Sequence, residues 1–203
     1  MHYCFHHIPK TGGSSLRIRL EDRADKKQIS KLDYALGHNT TVRTPGTHFV
    51  WLRDPLDRDL SHFNYDMSKG EANYSNFQEN CKSLDGNFMI LWLYRHYLLL
   101  DPDTDIETKY NSVRHSLKNN FQKVFCVKNF EQSWDEVADT LNVDKEPRLN
   151  TNMSNQDYKK YADKNNLSNE FISWHRSHNQ FDYKLYAEFT GSSSSPDISA
   201  NKL

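Results

Sequence analysis

The sequence is short of cysteine, of long apolar runs and of net charge, and each shortage excludes a class of protein. Three cysteines, Cys4, Cys81 and Cys126, occur in 203 residues. They are too few and too scattered for a disulfide framework, and no C-x-x-C pair is present. Cys4 and Cys126 stand in apolar runs, where a free thiol behaves as a small hydrophobe. A reducing, cytoplasmic setting is therefore expected. No apolar run approaches the ~20 residues of a membrane span, since the densest stretch, Phe88 to Leu100, is interrupted by Arg95 and His96. His2, His6, His7 and Lys10 break the N-terminal segment, so no signal peptide is expected there. Charge is balanced at 26 Lys+Arg against 27 Asp+Glu. A generic nucleic-acid binder carries a basic excess and a solvating disordered chain a strong acidic one, so neither class is expected.

What the chain does hold is aromatic surface. It has 11 Phe, 11 Tyr and 4 Trp, against a mean hydropathy of only −0.90. Each buried aromatic ring removes roughly 150–250 Å² from water, so a few of them can build a core beneath a polar exterior. The length suits one domain. That domain is expected over residues 1–190, followed by a low-complexity, disordered tail over 191–203 that opens with Ser192 to Ser195.

The order of elements points to an α/β fold. Tyr3 to Ile8 reads as a strand, Pro9 to Ser15 as a glycine turn and Leu16 to Lys27 as a helix. A second strand is expected at Asp33 to Leu36 and a third at Thr47 to Leu52, whose near-continuous apolar run suits a parallel strand buried on both faces. Asp54 and Pro55 have the chemistry of a helix N-cap and first position, and Leu56, Leu60, Phe63 and Met67 then share one helical face. Residues 68–87 read as a polar loop or lid. Phe88 to Leu100 reads as a buried helix, Val113 to Phe121 as another, Lys123 to Lys128 as a strand and Ser133 to Leu141 as an amphipathic helix. Two further helices are expected at Gln156 to Lys164 and Ser168 to Phe189. The pattern predicts a three-layer sandwich around a mostly parallel sheet of about four to five strands.

Two segments have the composition of anion sites. Lys10-Thr11-Gly12-Gly13-Ser14-Ser15 lies between a strand and a helix, where backbone N–H groups and a helix N-terminus face an anion. The lysine precedes both glycines and no Gly-Lys pair follows, so this is not a Walker A loop. Arg53 stands at the carboxyl end of the third strand, where open α/β sheets bind ligands. Its planar fork suits phosphate oxygens, and Ser61, in the helix that follows, can add a hydroxyl donor to the same group.

Together these segments resemble a family. Ile8 to Ser15 is similar to the 5′-phosphosulfate loop of sulfotransferases, most of all the membrane-type carbohydrate branch typified by heparan sulfate 2-O-sulfotransferase. Leu52 to Tyr65 resembles the 3′-phosphate motif of the same enzymes. Weaker similarity runs through Val127 to Glu131, Asn150 to Ser154 and Asn179 to Tyr186. The resemblance implies a donor, 3′-phosphoadenosine-5′-phosphosulfate (PAPS), with Lys10, Thr11, Gly12, Gly13, Ser14 and Ser15 on its 5′-phosphosulfate and Arg53 and Ser61 on its 3′-phosphate. It implies transfer of the sulfuryl group to a hydroxyl acceptor, expected to be a saccharide, with no metal and no nucleic acid required. For such a family the alternative setting is a trimmed lumenal domain of a Golgi-type enzyme.

Sulfuryl transfer needs a base for the acceptor hydroxyl, and a histidine near its ordinary pKa of ~6.5 suits that role. Gly37-His38 resembles the glycine-histidine pair that supplies the base in this family, so His38 is the candidate, and Lys10 is the candidate for stabilising charge on the bridging oxygen. His6, His7, His48 and His62 are expected to be packed or surface residues. Two alternatives remain open: a P-loop-type kinase or hydrolase, and a non-catalytic nucleotide-binding member of the family.

Overall fold

β3 (Thr47–Leu52) is the spine of the domain because five of its six residues are buried. In the computed structural model, which describes residues 2–37, 40–145 and 161–191, β3 pairs in parallel with β1 (Tyr3–His6) on one side and β4 (Phe121–Cys126) on the other. β2 (Tyr34–Gly37) adds to the far side of β1, giving a four-stranded, all-parallel sheet in the order β2-β1-β3-β4. The α/β sandwich expected from the order of elements is thus present, with four strands among the described residues.

Alternation along the strands sends side chains to two cores. One face carries Phe5, Phe49, Trp51 and Phe125 and packs on α1 (Gly13–Asp25) and α6 (Phe130–Leu141), with Trp134, Val137 and Ala138 fully buried. The other face carries Val50 and Leu52 and packs on α4 (Phe88–Trp92), α5 (Ile106–Asn119) and α8 (Gln180–Thr190) through Met89, Ile90, Val113, Leu117 and Leu185. A third cluster joins α2 (Pro55–Lys69), α3 (Phe77–Lys82) and α7 (Asn169–His178) through Leu56, Phe63, Phe77, Cys81 and Phe171. Among the described residues no helix is long and apolar enough to cross a membrane.

The start of α2 agrees with its sequence in detail. Asp54 accepts a hydrogen bond from the Asp57 amide, Pro55 takes the first helical position, and Gly70 closes the helix in the left-handed region. Elsewhere tertiary contacts override the local pattern. The polar stretch 68–87, expected as a loop, holds α3: Asn76 caps it through the amides of Gln78 and Glu79, and Phe77 and Cys81, one turn apart, bury its inner face. The helix expected over Phe88 to Leu100 is α-helical only to Trp92 and then widens into a π-helical turn, Leu93–Tyr97. α5 starts at Ile106 rather than Val113, because Asp105 caps it through the Thr108 amide. The single helix expected over Ser168 to Phe189 is broken at Asn179, whose side chain donates back to the His175 carbonyl and accepts from the Asn87 amide. The expected helix at Gln156 to Lys164 falls mostly outside the described residues, as does the tail beyond Gly191.

On α1 the helical period selects Leu16, Arg19, Leu20 and Arg23 for burial and leaves Ile18 46% exposed. The Arg19 guanidinium is tolerated inside because it pairs with Glu131 at 2.5 Å and lies 5.4 Å from the ring centres of Phe130 and Trp134.

The described part of the connection between β2 and β3, residues 40–46, contains no helix, although parallel strands are usually joined through one. It runs down the β1 face that carries Cys4 and His6, and two buried histidines satisfy it. Thr40 Oγ1 meets His6 Nδ1 at 3.1 Å, His6 Nε2 meets His48 Nδ1 at 2.7 Å, and His48 Nε2 meets the Thr44 carbonyl at 3.0 Å. Burial and the neighbouring His48 push the His6 imidazole down to about 3, so both rings are neutral hydrogen-bonding groups.

Candidate functional site

The strand order reverses between β1 and β3, because the chain leaves β1 toward β2 and leaves β3 toward β4 on the opposite side. Parallel α/β sheets open a crevice at such a point. The glycine loop leaves β1 there and the Arg53 segment leaves β3 beside it.

The glycine loop is shaped by its own backbone. Lys10 (φ 69) and Gly12 (φ 89) both take left-handed conformations, and the Thr11 amide and hydroxyl both donate to the Ile8 carbonyl. Thr11 is therefore buried and its hydroxyl proton is engaged within the loop, which differs from the ligand-facing role implied for it. Gly13 opens α1. A Cβ there would lie 2.1 Å from the His7 ring, so the close approach of that ring requires glycine. Gly13→Ala is expected to cost about 1–3 kcal/mol by forcing this contact apart. Denaturant unfolding measures it, and a variant as stable as the parent would show that the His7 ring moves aside freely.

The N-terminus of α1 carries no side-chain cap and no acidic residue in its first turn. Among the described residues the other α-helix without either, α4, is capped from outside by Asp182. The first-turn amides of Gly13, Ser14 and Ser15 thus lie at the positive end of an uncapped helix, with Ser14 exposed and Ser15 half-buried.

Two arginines join this loop to the segment after β3. Arg53 Nη1 donates to the Lys10 carbonyl at 3.0 Å, and Arg58 Nε donates to the Pro9 carbonyl at 3.3 Å. Arg58 is 2% exposed; it stacks 3.4 Å from the centre of the Phe88 ring and pairs with Asp59 at 2.7 Å. The two consecutive carbonyls are held toward the arginines. Lys10 Nζ lies 4.2 Å from the centre of the Tyr65 ring on α2. Burial and the positive charge of Arg53 and Arg58 push the Lys10 amine below its ordinary value, against the pull of Asp66.

Beyond Arg53 opens a cavity of about 480 Å³. Lys128, Lys164 and Arg176 join Arg53 in its wall, against two carboxylates, Asp54 and Asp57. Lys164 lies 2.9 Å from Asp57 and 3.9 Å from Asp54, so the acids are largely compensated and the lining is cationic. Tyr183 and Tyr186 complete it with aromatic surface. Behind this wall the Tyr183 hydroxyl meets His175 Nδ1 at 3.2 Å, and His175 Nε2 meets Asp59 at 3.0 Å. Burial pushes the Asp59 carboxyl up, but the hydrogen bond from His175 and the charge of Arg58 hold it below its ordinary value. Asp59, Cys81 and His175 come within 4.8 Å of one another. Both ring nitrogens of His175 already have partners, so this group reads as a packed network rather than a metal centre.

Of the residues singled out in the sequence, Lys10, Gly12, Gly13, Ser14, Ser15 and Arg53 are brought to one sheet edge. Ser61 is half-buried on α2, one turn beyond Asp57. β2 ends at the same edge with Gly37, but His38 lies outside the described residues. Arg58, Lys128 and Tyr183 lie within the segments that resemble the family but carry no role from the sequence alone, and Lys164 and Arg176 stand outside those segments. Lys128 carried a usable signal, since it follows the end of a strand. Lys164 and Arg176 carried none, because only the chain's path brings them to Arg53. No protein-family model matches the chain, and no curated protein matches it.

Proposed function

We propose that the chain is a PAPS-dependent sulfotransferase that moves a sulfuryl group to a hydroxyl acceptor, in keeping with the resemblance of its two loops to that family. The observation that carries this reading is the hydrogen bond from Arg53 Nη1 to the Lys10 carbonyl at 3.0 Å. It fixes two cationic loops side by side, one at an uncapped helix N-terminus and one at the mouth of a cationic cavity. A donor with an anionic group at each end matches that pairing. The 5′-phosphosulfate takes the α1 amides and Lys10, and the 3′-phosphate takes Arg53 with Ser61 near by. The cavity, about 480 Å³, has room for a nucleoside between tyrosines.

In the transfer, the acceptor hydroxyl loses its proton and its oxygen bonds to sulfur. The bridging sulfur–oxygen bond breaks, and its electron pair stays on the 5′-phosphate of the product 3′-phosphoadenosine 5′-phosphate (PAP). Lys10 and the helix amides stabilise that charge. The resemblance assigns the proton to His38. The acceptor is proposed to be a saccharide.

Calorimetry with PAP in the absence of magnesium tests the donor. Binding is expected, and Arg53→Lys, which keeps the charge but loses the fork, is expected to weaken it about 10- to 100-fold. ATP binding and magnesium-dependent turnover with no PAP binding would replace this reading with a P-loop kinase or hydrolase.

A further inference from the structure

We propose that His62 is the catalytic base of the transfer and that Asp66 positions it. The inference rests on the sulfotransferase reading and assigns a group within the same site. His62 and Asp66 stand one turn apart on α2, where residues at i and i+4 are neighbours, and His62 Nδ1 lies 3.0 Å from Asp66 Oδ2. That contact turns Nδ1 toward the carboxylate and leaves Nε2 on the opposite edge of the ring. The arrangement is the familiar one of a base oriented by a third group. Nε2 has no partner among the described residues. The two side chains are 36% and 24% exposed, so a substrate can reach them.

The dyad stands beside the leaving-group lysine. Tyr65, which lies under Lys10 Nζ at 4.2 Å, is next to Asp66 and three residues from His62, on the same stripe of α2. Lys10 and His62 feel one another's charge, and so do Lys10 and Asp66. The groups facing His62 are Arg58, Asp59 and Asp66 from α2 and Lys10 from the glycine loop. Burial, Arg58 and Lys10 outweigh the two acids and hold the imidazole below its ordinary value, in the neutral form a base needs.

Other described histidines fit the role less well. His6, His48 and His175 are buried with both ring nitrogens engaged. His7 packs against Gly13. His2 is bonded to the Leu32 carbonyl at the far end of the sheet, and His178 to the Leu84 carbonyl.

In the step, His62 Nε2 accepts the hydroxyl proton as the acceptor oxygen bonds to sulfur. The sulfur–oxygen bond to the 5′-phosphate breaks, PAP leaves with the electron pair, and the imidazolium later returns its proton to water.

The experiment measures transfer from ³⁵S-labelled PAPS to de-O-sulfated heparin, to 2-naphthol and to water, alongside PAP calorimetry. His62→Asn is expected to keep PAP affinity within about 2-fold and to lose turnover about 10²–10⁴-fold. Asp66→Asn is expected to retain part of the turnover. It should also move the acid limb of the kcat–pH profile to lower pH, because the carboxylate that favours the imidazolium is gone. A purely structural role for Asp66 would leave that limb in place. Full turnover in His62→Asn, with the loss appearing in His38→Ala instead, overturns the proposal. So does PAP binding by the parent protein with no transfer to any of the three acceptors. Absence of PAP binding overturns the donor reading underneath it.

Discussion

Lys10→Met is expected to lower kcat for sulfuryl transfer about 10²–10³-fold, the size of effect seen when one preorganised group that stabilises developing charge is removed. Methionine keeps much of the aliphatic length that lies against Tyr65, so the loss isolates the ammonium. The ammonium is preorganised by an unusual backbone. Lys10 has φ 69, which a non-glycine residue adopts at a cost of order 1–3 kcal/mol, and its carbonyl is held by Arg53. PAP affinity should change far less than turnover, because the helix amides and Arg53 remain. Steady-state kinetics with PAPS varied measure this. A variant that binds PAP weakly but turns over normally at saturation would make Lys10 a ground-state anchor only.

The largest expected effect on stability lies away from the site. Asp182→Ala should cost about 3 kcal/mol, since it strips the acceptors from two buried amides. Asp182 Oδ2 accepts from the Met89 amide at 2.8 Å and Oδ1 from the Ile90 amide at 2.9 Å, capping α4 from α8. Asn87 returns the arrangement, its Oδ1 accepting from the amides of Phe181 and Asp182. Two helix N-termini therefore cap one another, and losing one partner exposes both. Asp182→Asn keeps one acceptor and should cost about half as much.

The same residue gives a pH dependence of definite sign. Burial raises the Asp182 carboxyl to about 7, against the downward pull of the two amides. This is above the ~3.9 of an unfolded aspartate, so the native state holds the proton more tightly. The contribution to stability is fully present below about pH 4 and is lost as pH rises toward 7. The stability deficit of Asp182→Asn relative to the parent should therefore shrink over that interval. His6 titrates with the opposite sign, its folded value being about 3, but it is common to both proteins and cancels in the difference. A deficit that does not vary with pH would mean that Asp182 stays ionised in the fold.

β3 and α2 were legible in the sequence because everything that makes them is local. A continuous apolar run suits a strand covered on both sides, and Asp54, Pro55 and the spacing of Leu56, Leu60 and Phe63 define one helix start and one buried stripe. The glycine loop was legible for the same reason, its composition and position together predicting exposed amides between a strand and a helix. α3 was hidden because only Phe77 and Cys81 reach the core from a polar segment. The break at Asn179 was hidden because it depends on Asn87, 92 residues away.

The balance of charge shows the same division. The sequence by itself determined that the chain has no basic excess, that strand, loop and helix open an α/β unit, and that Lys10 and Arg53 follow strand ends. Hydrogen-bond ladders and side-chain periods act over a few residues, so a linear reading captures them. Only the tertiary structure decided that Lys10, Arg53 and Arg58 share one edge, that Lys128, Lys164 and Arg176 wall a cavity beside them, and that His62 and Asp66 stand next to the lysine. Coulomb energies depend on separation in space, and parallel pairing of β1 with β3 brings together charges that lie tens of residues apart along the chain.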